Sequence, residues 1–231
     1  MALKLIIVSD FVCPYCYWLE TLLDRLGEQL EIIHVPYQLT EPPAPRIDVW
    51  NDPVRRVRYA ETLGPACQAQ GVEMCLPPRV IPRPYTDLAF QGWCFAGERD
   101  RGESFYKAVF RAYFVDERDI GDLSVLTELA ENCGLSGQDF RAALVAGTYT
   151  ETVRRQSRLS RDLLGDSHGA YHFIRKKTTG RLCSELDRAE GMVGCGALRC
   201  LNVSIKYKKQ VDRYEKIVEE KSQAKGRGTR R

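Results

Sequence analysis

Apolar positions along the first thirty-five residues follow two different periods. Leu3 to Val8, LKLIIV, is a short branched run with no polar group after Lys4, the pattern of a buried strand. Ser9-Asp10 leaves it. Pro14 suits the first turn of a helix, where its missing N–H costs nothing. Helical spacing follows in Trp18, Leu19, Leu22, Leu23 and Leu26, and Gly27 can end it. Residues 30–35, LEIIHV, return to a strand pattern. Strand, helix and strand at this spacing predict adjacent parallel strands joined by a right-handed crossover.

The pattern then changes character. Residues 36–54 are rich in proline and polar groups and read as loop. Residues 55–70 fit a helix with Val57, Ala60, Leu63 and Ala66 on one stripe, bent or broken at Gly64-Pro65. Four prolines make residues 76–86 irregular. Helical spacing returns at about 86–98, 102–115, 122–133, 137–146 and 148–164, with Asp122 and Ser136 placed to cap two of these segments. After residue 175 the periodicity fades. GMVGCGALRC at 191–200 has no clear period, 207–221 fits a charged helix, and 222–231 reads as a disordered basic end.

Composition narrows the classes. With 231 residues and 44% apolar content, the chain can build one large core. The net charge is +3, and the basic excess sits in residues 201–231, so nothing global points to nucleic acid. No window reaches the ~18 apolar residues of a membrane span, and Asp10 interrupts the N-terminal apolar run too early for a leader. We read the chain as cytoplasmic. Nine irregularly spaced cysteines do not resemble a secreted disulfide scaffold.

Within those nine, Cys13 and Cys16 stand apart. They lie just after a strand and at the start of a helix, where free N–H groups and the helix field favour a thiolate. In such motifs the thiol pKa falls from ~8.5 to between ~3.5 and ~7. Cys13, nearer the helix end and the more exposed of the two, is expected to attack, and Cys16, one turn inward, to resolve the mixed disulfide. A chance pair of buried thiols and half of a metal site are the competing readings. A four-thiolate site needs a second close pair, and neither Cys67 with Cys75 nor Cys195 with Cys200 has a good spacing for one. His34, inside a strand, reads as packed or satisfied, and Cys94 as a core filler. Trp50 and Tyr59 fit either a groove or the core. Among Tyr15, Tyr17 and Trp18, the last reads as core, and some of the three could form an apolar surface for a partner.

The segment SDFVCPYCYW, Ser9 to Trp18, resembles the active-site motif of DsbA-like thioredoxin-fold oxidoreductases, and within them the cytoplasmic FrnE-like branch. Tyr15 stands where that branch often has tryptophan. The likeness extends through AVFRAYF at 108–114, VDERDIGDLSVLTELAENCGL at 115–135 and FRAAL at 140–144. It implies an α/β class, a thioredoxin-like fold with a large all-helical insertion, and thiol–disulfide exchange. Cys13 and Cys16 would be catalytic, with Phe11, Pro14 and Tyr15 in support. It also implies a thiol or disulfide substrate, protein or small molecule, with glutathione a candidate. No metal or organic cofactor is needed, and no nucleic acid or membrane partner is implied. Residues 1–54 would hold the first βαβ part and a loop, 55–165 the insertion and a return helix, and 166–221 an atypical remainder.

The likeness stops at Gly169-Ala170-Tyr171, where the family carries a cis-proline loop beside the cysteines and this chain has Tyr171 in place of the proline. A shifted reading frame and genuine divergence both account for that change. The first leaves the C-terminal quarter misfolded, the second leaves Phe173-Ile174 as a strand. Two other readings stay open: a glutathione-dependent isomerase of the related thioredoxin-fold class, against which Cys16 argues, and a redox-impaired binding protein.

Overall fold

The computed structural model describes residues 3–25, 30–164, 172–175 and 199–202. Strands β1 (Leu3–Ser9) and β2 (Leu30–Pro36) flank helix α1 (Pro14–Asp24) and pair in parallel, Leu3 opposite Leu30 through Ser9 opposite Pro36. This is the crossover unit that the apolar pattern predicts. Strand β3 (His172–Arg175) joins β1 antiparallel, with Val8 opposite His172, and β4 (Arg199–Asn202) pairs with β3 in parallel. The sheet order is β2-β1-β3-β4. Strand β4 begins within the 191–200 stretch that shows no clear period, because four residues are too few to show one.

Between β2 and β3 the chain is helical. The order is α2 (Pro53–Glu61), α3 (Leu63–Gln70), α4 (Asp87–Gly97), α5 (Gly102–Phe114), α6 (Leu123–Asn132), α7 (Gly137–Val145) and α8 (Thr150–Leu164). Asp122 and Ser136 cap α6 and α7 as expected, accepting from the Ser124 amide at 2.7 Å and the Asp139 amide at 3.3 Å. One helix over 55–70 is replaced by two. Asp52 caps the first by accepting from the Arg55 amide at 3.0 Å, so α2 begins at Pro53, inside the stretch read as loop. The break falls at Thr62 and not at Gly64-Pro65. Pro65 then occupies the first turn of α3, where no intrahelical N–H is required of it. The expected stripe is also corrected: Leu63 and Ala66 are buried, Val57 and Ala60 face solvent, and Tyr59 is the buried residue of α2.

The core is aromatic. Phe11 lies with Phe90 of α4 at 4.7 Å between ring centroids and with Tyr106 and Phe110 of α5 at 5.1 Å each. Helix α8 lies against α4 and β2. Its Ser160 hydroxyl donates to the Pro36 carbonyl, and Gln38 reaches Ser157 at 3.4 Å. No helix among the described residues is long and apolar enough to cross a membrane. Gly169, Ala170, Tyr171, Cys183, Cys195 and the basic tail at 222–231 lie outside the described residues.

Candidate active site

The end of β1 delivers the chain into a tight turn. The Cys13 amide donates to the Asp10 carbonyl at 3.0 Å, and the Cys13 carbonyl then accepts from the amides of Cys16 at 3.1 Å and Tyr17 at 3.2 Å. Cys13 thus becomes the residue preceding the first turn of α1, in extended conformation (φ −93°, ψ 114°), with Pro14 at the first helical position. Its side chain makes no capping hydrogen bond. The strand end, the turn and the proline together set Cys13 and Cys16 one helical turn apart, in the dithiol form.

Both thiols are buried, each 1% exposed. The expectation that Cys13 is the more exposed of the two is therefore corrected. Position at a helix start does not guarantee solvent when other elements fold over it, and Tyr59 from α2 approaches here. Burial above all, then the neighbouring Cys13 side chain, pushes the Cys16 thiol well above its ordinary range. Such a thiol stays protonated until a leaving or attacking sulfur changes its surroundings.

Phe11, Pro14 and Tyr15 are all buried around the pair. Phe11 is fully buried in the aromatic core, Pro14 is buried, and Tyr15 meets Tyr59 edge-on at 6.4 Å while its hydroxyl lies 3.4 Å from that of Thr62. A partner surface built from Tyr15, Tyr17 and Trp18 is not formed. Tyr15 and Trp18 are core, and the half-buried Tyr17 stacks on Phe114 at 5.3 Å. Trp50 is half-buried and lies outside the core cluster, with the guanidinium groups of Arg56 and Arg79 over its ring at 4.7 and 4.8 Å.

Two features were not legible in the sequence. Asp10 reads there only as a strand end, yet it is fully buried three residues before Cys13. Its Oδ2 accepts from the Leu39 amide at 2.6 Å, while Oδ1 has no hydrogen-bond partner. Burial raises its pKa from 3.8 to about 6, against the opposing pull of the Leu39 amide, the Thr86 hydroxyl and the Arg83 guanidinium. Its charge in turn adds to the upward push on Cys16. The signal available was a charged residue embedded between apolar Val8 and Phe11. The second feature is a polar chain behind α1. The hydroxyls of Ser9 and Tyr106 are 2.6 Å apart, Tyr106 donates to Glu20 at 3.1 Å, and Glu20 meets His34 Nε2 at 3.0 Å. His34 is therefore satisfied, as expected. Among the described residues, no group of three or more His, Cys, Asp or Glu side chains could hold a metal ion.

Residues 4–164, which include the whole turn just described, match the family described as a DSBA-like thioredoxin domain. The chain belongs to the DsbA-like thioredoxin domain family. The uncharacterized protein YwbO of Bacillus subtilis (strain 168) is 36% identical over 157 residues, covering 67% of this chain and 78% of YwbO. Among solved structures, the probable DsbA oxidoreductase SCO1869 of Streptomyces coelicolor is 26% identical with a TM-score of 0.54, covering 82% of this chain and 90% of its own. The cytosolic disulfide reductase DsbM of Pseudomonas aeruginosa shares the fold at 19% identity and a TM-score of 0.57, covering 83% of this chain and 95% of its own. DsbM has also been solved with GSH.

Proposed function

We propose that this DsbA-like protein catalyses thiol–disulfide exchange through Cys13 and Cys16. The observation that carries this reading is the pair itself: two thiols one turn apart at the start of α1, with the Cys13 side chain acting directly on the Cys16 thiol. In the reducing direction, the Cys13 thiolate attacks one sulfur of a substrate disulfide. The substrate's other sulfur leaves as a thiolate and takes up a proton. Cys16 then loses its proton and attacks Cys13 Sγ, which breaks the mixed disulfide and releases the second substrate thiol. Two electrons pass to the substrate, and the Cys13–Cys16 disulfide remains. A small thiol such as glutathione can return those electrons, and exchange with a disulfide donor runs the sequence backwards. We place this chemistry in the cytosol, where the remaining thiols would stay reduced.

The asymmetry between the thiols gives the test. Cys13→Ser should abolish reduction of a model disulfide, because the attacking sulfur is gone. Cys16→Ser should trap the substrate on Cys13 as a mixed disulfide, visible as added mass under non-reducing conditions. Turnover by Cys13→Ser at the wild-type rate would rule the reading out. Tight glutathione binding with full activity in Cys16→Ser would favour the glutathione-dependent isomerase class instead.

A further inference from the structure

The exchange reading meets an obstacle in the structure: the attacking sulfur is covered. A thiolate must approach a disulfide along its S–S axis, and a side chain 1% exposed offers no such approach. Something near Cys13 has to withdraw. The aromatic core beneath the turn is an unsuitable candidate, since Phe11, Trp18 and their neighbours hold β1, α1, α4 and α5 together.

Helix α2 is different. It buries one residue, Tyr59, and that residue reaches the site: its ring meets Tyr15, two residues after Cys13, at 6.4 Å. Charge on Cys13 also adds to burial in pushing the Tyr59 phenol up. The rest of α2 faces solvent, with Val54 76% and Val57 56% exposed. Its principal packing partner among the elements is α3. Thr62 ends α2, its amide and hydroxyl both donating to the Arg58 carbonyl at 3.0 and 2.7 Å, and α3 begins at the next residue, so the junction between the two short helices falls at this one position. A nine-residue helix with one buried side chain, joined otherwise by an exposed Arg56–Trp50 contact at 4.7 Å and the Tyr15–Thr62 hydroxyl contact at 3.4 Å, has the low local contact density of a segment that opens by itself.

We propose that α2 is an access gate and that Tyr59 is the plug that closes it over Cys13. This rests on the exchange reading above. The outward swing of Tyr59 precedes attack, and the width it opens selects among disulfides by bulk. A disulfide in an extended, unfolded segment enters; one buried in a folded domain does not. Tyr59 is thus a specificity-determining residue, supplied by the helical part of the chain to a nucleophile supplied by the βαβ part.

Alkylation of the reduced full-length chain tests this without requiring any exchange activity, so the gate and the exchange reading can fail separately. Iodoacetamide and a polymer-linked maleimide serve as small and bulky probes, and labelling of the Cys13 peptide is followed by mass spectrometry. Tyr59→Ala should accelerate Cys13 labelling by about tenfold or more, with the larger gain for the bulky probe, since an opening equilibrium no longer limits access. Tyr59→Phe, which keeps the ring, and Val57→Ala, on the solvent face, should both stay within about twofold of wild type on the same grounds. Cys67, buried in α3, serves as a control and should label no faster in Tyr59→Ala. The proposal is overturned if Cys13 of the wild type already labels as fast as in Tyr59→Ala, or if Cys67 accelerates in step with it, which would mean a loosened fold. Hydrogen exchange on the wild type gives an arm free of mutation: α2 amides should exchange well before those of α4 and α5. Equal protection across the three helices would overturn the gate as well.

Discussion

Asp10 carries a carboxyl into the interior where its Oδ1 finds no hydrogen bond, and its behaviour with pH follows from that placement. Its folded pKa of about 6 lies above the ordinary 3.8, so between those values the folded chain holds a proton that the unfolded chain has released. Stability therefore falls as pH rises through this window, the reverse of a salt-bridged carboxylate. The displacement corresponds to roughly 3 kcal/mol against the ionised form. Asp10→Asn keeps an acceptor for the Leu39 amide and removes the charge. We expect the variant to gain stability relative to wild type between pH 4 and pH 7, by up to about that amount. Urea unfolding of both proteins at the two pH values measures it, since all other carboxyls are common to the pair. A difference that does not change with pH would show that the carboxyl is not held in this way. Above the window the Asp10 charge also opposes ionisation of Cys16, so the same variant should make Cys16 easier to ionise. The cysteine pair itself was legible because strand, turn, proline and spacing are all local. The covering of Cys13 was not, because Tyr59 comes from forty-six positions later in the chain.

At the scale of elements, the helices that could be read from sequence are those whose start signals are local. The caps of α6 and α7 lie within three residues of the amides they satisfy, and apolar spacing supplies the rest. Helices α2 and α3 show the limit. Pro65 was correctly a conflict, but whether it ends one helix or opens the next depends on where Thr62 and Leu63 pack. Strand β4 shows another limit, since it exists by pairing with β3 and not by a pattern of its own. Close packing between helices is equally invisible in sequence. Gly92 in α4 is a case in point: a Cβ there would lie 2.7 Å from the Phe140 ring of α7 and 2.9 Å from the Phe105 ring of α5. Both rings are fully buried, so neither can move aside freely. Gly92→Ala should therefore cost ~1–3 kcal/mol, although alanine is the better helix former. A lowered denaturation midpoint with unchanged slope would match this, and a raised midpoint would show that α5 and α7 can give way.

Across the whole molecule, the question is whether sheet and helical layer unfold together. Phe11 decides it, because it leaves β1 at the turn that sets Cys13 and inserts its ring among Phe90, Tyr106 and Phe110. The residue that shapes the active-site turn is thus also the one that joins α4 and α5 to the sheet. On the neighbouring strand, α8 closes onto β2 through Ser160 and the Pro36 carbonyl, where Pro36 lies opposite Ser9. Two layers fastened at the turn and at the adjoining end of β2 share one core, and a shared core unfolds as a unit. Phe11→Ala removes a fully buried ring that cannot be replaced by collapse of its aromatic neighbours, so it should cost ~3–5 kcal/mol. Tryptophan fluorescence, which reports on Trp18 in α1, Trp50 before α2 and Trp93 in α4, and far-ultraviolet circular dichroism should still give coincident transitions at the lower midpoint. Separate transitions would mean that the helical part is an autonomous unit, fastened to the sheet only by this ring. Labelling of Cys13 should also rise in the variant, because the turn that places the thiol beneath Tyr59 is held from below by the same side chain.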